Sequence, residues 1–428
     1  MRCFRLLVIA CLALAGSAAW GLDIGAGVAD ITPDVKTYRV PMAGYGARLG
    51  RPSTGVHDPL HAKILFLRDG EVRMALITCD LRSITPEFKN QVVEKSAPLG
   101  FTPDNVFMAA SHTHDGPSMY PEKFWQLQFG AYDPKIVDIM STSVADALKE
   151  AVRTAGPARI GFGEGRAEGF TNNRRWGYDT PAREAAGEKA AVDPVMWVMR
   201  VDSMEGGASA ILVNFAVHPT ILPAENMLIS AEWPGVLQQE LEKAFPGAIA
   251  LYTNGAEGDQ SPRDAQGADD FARMTDFGVR LAKIGADVAR GIETKPGVTI
   301  GFRRATPDLP ELAFPEGSKK RFASFLDAAR EGLPRKAEIQ AFRIGSTVLV
   351  GLPGEPILEV GQAVRDSVMK QGFQQAVVAG LANDYIGYLV DEKEYAHGGY
   401  EVDSRSYYGP GLGTFLAEHA GKIVQDLK

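Results

Sequence analysis

Apolar residues recur in short runs along the chain, and polar or glycine-bearing loops separate them from stretches with a helical period. The runs at residues 73–79, 106–110, 158–162, 196–201, 210–216 and 248–252 predict strands, as do those at 341–352 and 376–380. Apolar positions three and four apart predict a helix most clearly over 269–292, and further helices over 236–245, 319–332, 357–371 and 414–427. Such alternation is the pattern of a layered α/β protein, here a mixed β-sheet domain with flanking helices and a site built from loops at strand ends. No internal repeat or low-complexity tract interrupts it. The proline-rich stretch at 306–315 lies between segments that both carry candidate site residues, so it reads as a loop within one catalytic domain spanning 22–428.

The first residues follow another rule. Arg2 and Arg5 precede an apolar run at 6–15 and then the small residues 16–19, which predicts a cleaved export signal over 1–21 and a secreted or periplasmic product. The run falls short of the ~20 residues that span a bilayer. Val8-Ile9-Ala10-Cys11 has the form of a lipoprotein cleavage box, but almost no apolar segment precedes its cysteine. Removal of the signal takes Cys3 and Cys11 with it, leaves Cys79 alone, and makes the core rather than a disulfide the source of stability. With 428 residues, 45% of them hydrophobic, there is apolar material enough for that core. A formal charge of -8 with no Lys/Arg cluster excludes a nucleic-acid partner, because phosphate binding draws on clustered cations.

Candidate chemistry gathers where strands run out. Ser111-His112-Thr113-His114-Asp115-Gly116-Pro117 follows the run at 106–110. Two histidines one residue apart on an extended chain point to opposite faces, which implies separate roles unless the strand has ended: one on a metal, the other on a substrate or a ligand. Asn214-Phe215-Ala216-Val217-His218-Pro219 again ends a strand in a histidine, and imidazole is a common zinc ligand. Thr253-Asn254-Gly255-Ala256-Glu257-Gly258-Asp259-Gln260-Ser261-Pro262 is a small-residue turn in which Asp259 offers a base and Ser261 a nucleophile or hydrogen-bond donor. In Gly351-Leu352-Pro353-Gly354-Glu355-Pro356 the carboxylate either caps the helix that follows or reaches into a site. Asn383-Asp384-Tyr385-Ile386-Gly387-Tyr388 and the tyrosines up to Tyr408 read as a binding loop.

Together and in this order the five segments resemble the neutral, non-lysosomal ceramidase family. Ala29-Asp30-Ile31-Thr32-Pro33, Met42-Ala43-Gly44-Tyr45-Gly46 and Gly55-Val56-His57-Asp58-Pro59-Leu60 extend the resemblance over residues 25–410. It implies a Zn²⁺ ion held by His112, His218, Glu355 and Tyr388, and hydrolysis of the amide of a ceramide or similar N-acyl lipid with transient membrane or micelle contact. It implies catalytic roles for Ser261, Tyr400, His114 and Asp259, and substrate contacts for Arg174, with Arg175 as its rival, and for Tyr385. Departures leave the substrate open, with another N-acyl compound or a silent binding role as alternatives. Typical members continue into an immunoglobulin-like domain, whereas this chain stops one helix after Tyr408-Gly409-Pro410. Asp115 stands where serine is usual, Arg263 where asparagine is usual, and Glu232 near a usual aspartate; the first two would make the mouth of the slot more polar.

Overall fold

A computed structural model describes residues 21–427 apart from 322, 324 and 325. The export-signal expectation therefore falls almost wholly outside the described residues. Among these, no helix is long and apolar enough to cross a membrane.

Two sheets lie face to face. The larger has eight strands in the order Ile249–Asn254, Ala208–Phe215, Val195–Ser203, Gly156–Arg166, Asp23–Asp30, His61–Asp69, Val72–Cys79 and Val106–Ala110. The smaller has four, Ile300–Ala305, Ile339–Ile344, Thr347–Gly351 and Gln375–Ala379. Period-two alternation explains the layering. Ile64, Phe66, Ala75 and Ile77 pack outward on Ile136, Met140, Val144 and Leu148 of the helix Pro134–Arg153. Their neighbours Leu65, Leu67, Met74 and Leu76 pack inward with Phe342, Leu349 and Val377 of the smaller sheet. Ala341, Val348 and Val350, on that sheet's outer face, meet the helices Leu358–Met369 and Leu412–Ile423.

The other half of the large sheet is covered by Glu232–Ala244 and Asp270–Gly291, whose Trp233, Leu237, Phe277 and Leu281 bury against Val198, Val213 and Tyr252. Gly161, Gly163 and Gly165 line one face of their strand, and a Cβ at any of them would meet Ile292 or Val288 at 2.9 Å or less. The stripe lets the long helix sit close to the sheet.

All eight predicted strand regions form strands, although 341–352 folds back on itself as a hairpin at Gly345, whose φ is +61°. The helix expected over 319–332 is two short ones, Glu316–Arg321 and Leu326–Gly332. The pattern missed the strands Asp23–Asp30 and His61–Asp69 and the helices Pro86–Ser96 and Pro134–Arg153. The first of these carries Gly25 and Gly27, which are poor strand formers but fit here under the backbone of Ala151 and Ala147.

Parallel pairing positions the site. Val72–Cys79 pairs in parallel with Val106–Ala110, Ala208–Phe215 with Ile249–Asn254, and Thr347–Gly351 with Gln375–Ala379. Their carboxyl ends meet. Ala110 N–H donates to Leu381 O at 3.2 Å, and Gly380 N–H to Asn254 O at 3.1 Å. Asn254 knots the loops together, its amide donating to Ser111 O at 3.2 Å and Val217 O at 3.1 Å.

Candidate metal centre

His112 follows the end of its strand with φ +74°, a left-handed conformation that costs a non-glycine residue energy and persists only where surroundings fix it. Here its own N–H donates to Leu81 O at 2.9 Å. The strand has ended, so the opposite-face expectation for His112 and His114 does not hold. Their Nε2 atoms lie 3.2 Å apart and both belong to one buried cluster with His218, in which ligand atoms of all three rings fall within 4.8 Å. Gly44, at φ +99°, leaves room for the His114 ring, which a Cβ there would meet at 2.6 Å.

Glu355 completes the cluster. Its Oε2 lies 3.2 Å from Nε2 of both His112 and His218. The Nδ1 atoms of the two rings face Arg82 O and Glu257 O, each at 2.7 Å. With those nitrogens carrying the protons, both Nε2 lone pairs point at the carboxylate, the arrangement metal-bound imidazoles adopt. Burial, followed by neighbouring His112, keeps the His114 pKa well below its ordinary value. Burial and then Arg174 lower His218 to about 4. Burial opposes ionisation of Glu355, and positive charge on its His112 and His218 side, the side a metal ion would take, holds its pKa well below the usual range. Imidazole nitrogens and a carboxylate converging in a buried site fit a divalent metal, and the N/N/O donors suit zinc.

Tyr388 is the register partner of Glu355 in a two-residue parallel bridge, which sets it beside the cluster with its ring 6.4 Å from His218. Its hydroxyl accepts a 2.9 Å hydrogen bond from Arg174 Nη2. Arg174 is anchored by Glu401 at 2.6 Å and by Gly258 O at 2.7 Å, and its guanidinium lies 5.3 Å from the ring of Tyr400. Tyr400 is 41% exposed and open to a substrate. Arg175 points elsewhere, paired with Glu394 and Glu401 inside the protein. Ser261 sits on a short strand opposite Asn172, next in the chain to Asn173 and Arg174, and is partly exposed.

Two expected site residues are held in buried hydrogen-bond networks. Asp259 is fully buried, and its oxygens accept from Leu358 N at 3.0 Å, Gln260 Nε2 at 2.9 Å and Asn173 Nδ2 at 2.8 Å. Its carboxylate ties the Ser261 loop to the first turn of a helix, and burial raises its pKa to about 6. Tyr385, expected on the substrate, is buried with its hydroxyl donating to Glu355 Oε1 at 2.6 Å and accepting from Arg82 Nη2 at 2.7 Å. It orients the carboxylate. The three residues where the sequence departs from the family pattern stand as follows. Asp115 is buried and bonded to Arg48 at 2.6 Å, Arg263 is exposed, and Glu232 receives backbone N–H groups at the start of its helix.

Sequence reasoning missed Arg82 and Glu257. Arg82 stands three residues past the strand ending at Cys79, the same kind of signal that marked His112 and His218. Its Nη2 lies 3.4 Å from Glu355 Oε1, and its Nη1 bonds Tyr120 at 2.5 Å. Glu257 lay inside a motif already singled out. It is fully buried, neither of its oxygens has a hydrogen-bond partner, and burial and then Glu355 push its pKa well above the ordinary range.

Fold and site define a class: a two-sheet α/β protein with a buried histidine–carboxylate centre gathered from parallel strand ends. The chain belongs to the neutral/alkaline non-lysosomal ceramidase family, whose N-terminal model matches residues 22–275 and 324–415. Among relatives, the neutral ceramidase of Mycobacterium tuberculosis is 25% identical over 90% of this chain and 74% of that one. Neutral ceramidase A of Dictyostelium discoideum is 32% identical over 56% of this chain and 36% of its own length. The solved neutral ceramidase of Pseudomonas aeruginosa superposes with a TM-score of 0.82 at 21% identity, covering 95% of this chain and 74% of that one, a likeness of fold.

Proposed function

We propose that the chain is a zinc-dependent amidohydrolase that cleaves the amide bond of ceramide or a similar N-acyl lipid, releasing a fatty acid and a sphingoid base. The observation that carries this reading is the convergence of His112, His218 and Glu355 on one buried point, in a chain whose relatives are neutral ceramidases. The bound metal would polarise the amide carbonyl and acidify a water molecule.

The protein's own residues supply the rest. His112, His218, Glu355 and Tyr388 would hold the ion, and Arg82 and Tyr385 fix the carboxylate. His114, whose Nε2 lies 3.2 Å from His112 Nε2, is placed to take a proton from the attacking water and return it to the leaving amine. The charge of Arg174 and the hydroxyl of Tyr400 stabilise the oxygen that becomes negative. Ser261 contacts the substrate from its partly exposed loop; a trapped acyl-enzyme would make it the nucleophile instead.

The test is release of fatty acid and sphingoid base from a short-acyl ceramide by zinc-loaded protein at neutral to mildly alkaline pH. Turnover of other N-acyl amides but not ceramide would leave a zinc amidase with a different substrate. Binding of ceramide without any turnover would make the chain a binding protein.

A further inference from the structure

Glu257 stands at the metal centre with no part yet assigned to its side chain. It is fully buried, and neither carboxylate oxygen has a hydrogen-bond partner among the described residues. One of those oxygens lies within 4.8 Å of a ring nitrogen of His112 and of an oxygen of Glu355. The loop that carries it is fixed. Its own carbonyl accepts from Gln260 N–H at 2.8 Å and faces Nδ1 of His218 at 2.7 Å. The next N–H, that of Gly258, donates to Pro356 O at 2.8 Å, one residue past Glu355. Space for the side chain comes from Gly380, where a Cβ would meet Glu257 Oε2 at 2.7 Å. Backbone and side chain of one residue thus both reach the centre, the first through His218 and the second directly.

A carboxylate in this setting is incomplete. Ionised, it sits beside Glu355 with no cation paired to it among the described residues, and like charges in a buried site are costly. Protonated, it still has an O–H without an acceptor and a carbonyl oxygen without a donor. Neighbouring polar groups are taken: Arg174 is held by Glu401, Gly258 O and Tyr388, and the Tyr252 hydroxyl by Phe215 O and Asn254 Oδ1. A divalent ion shared with Glu355 supplies both the counter-charge and a partner for the lone pairs. Two donors on one zinc stand at most about 4.2 Å apart, so the carboxylate needs to move by under about 1 Å to join it. No hydrogen bond holds it back.

We propose that Glu257 is a further ligand of the metal ion, a second carboxylate that joins His112, His218, Glu355 and Tyr388. This role rests on the zinc reading of the site and adds to its donor set. Two carboxylates balance the charge of a divalent ion inside the protein, which suits a centre that meets a neutral lipid amide.

Metal binding to the stripped full chain, measured without substrate, separates this role from the question of turnover. The probes are zinc, in competition with a chromophoric chelator, and Co²⁺, followed by its visible spectrum. Glu257→Gln keeps the shape and removes the charge; it should bind zinc at least about tenfold more weakly and shift the Co²⁺ bands. The metal-stripped variant should melt no lower than the metal-stripped parent, because the charge it loses has no partner there, while zinc should raise its melting temperature by less. Parental zinc affinity and a parental Co²⁺ spectrum in the folded variant would overturn the proposal. So would weaker affinity with the spectrum unaltered, which would make Glu257 an indirect support. A stripped variant that melts lower with the full zinc gain intact would make the residue structural and overturn it too. If Glu257→Gln does not fold, Glu257→Asp takes its place: the withdrawn carboxylate should weaken zinc and move the Co²⁺ bands, and parental values for both would count against the ligand. Zinc bound through Glu257 without fatty-acid release would sink the amidohydrolase reading and leave the ligand standing, whereas a parent that takes up neither metal would overturn both.

Discussion

Replacing Tyr385 by Phe removes one oxygen and little else. That oxygen donates to Glu355 Oε1 at 2.6 Å and accepts from Arg82 Nη2 at 2.7 Å, on a residue that is only 2% exposed. A hydrogen bond to a charged group is worth about 1.5–3 kcal/mol. The loss should fall mainly on the metal, because Glu355 would be free to rotate out of line with His112 and His218. Removing an outer partner of a metal ligand typically costs ~10–100-fold in metal affinity or activity, which is about 1.4–2.7 kcal/mol and agrees with the hydrogen-bond figure. The assay is competition for zinc between the protein and a chromophoric chelator, with circular dichroism to show that the fold is kept. An unchanged zinc affinity in a folded Tyr385→Phe variant would refute the reasoning. If KM alone rose, the substrate contact expected from the sequence would be restored.

His112→Ala and His218→Ala should lose zinc and activity together, while His397→Ala and His419→Ala keep the metal, as elemental analysis would show. Ser261→Ala should lose most of its activity with zinc content and melting temperature unchanged; loss of metal would mark the residue as structural. Glu232 has its pKa raised to about 8 by burial, so the folded chain holds a proton there that the unfolded chain releases near 4.5. Stability from this group is thus present at low pH and lost as pH rises from about 4.5 to about 8. Glu232→Gln should flatten that decline in thermal melts by one group's share, and an identical slope would contradict the assignment.

Much of the site was legible because its residues follow apolar runs that could only be buried strands. His112, His218 and Glu355 each stand just past such a run, and parallel pairing brings those ends together. What a linear reading could not supply was direction. Nothing in Ser111-His112-Thr113-His114 announces that His112 takes a left-handed turn and lets both rings face one point. Asp259 was expected as a base and Tyr385 on the substrate, and no linear reading could show that their partners are a helix N-terminus and the Glu355 carboxylate.

The central claim is that this centre holds zinc and uses it to break an amide. The direct measurement is fatty-acid release from a short-acyl ceramide by protein purified without chelator, then stripped of metal, then given zinc back, with metal content followed throughout. One zinc per chain, loss of release on stripping and recovery on re-addition are the predicted results. Near-zero metal in the purified protein, or full hydrolysis by the stripped protein, would contradict the account.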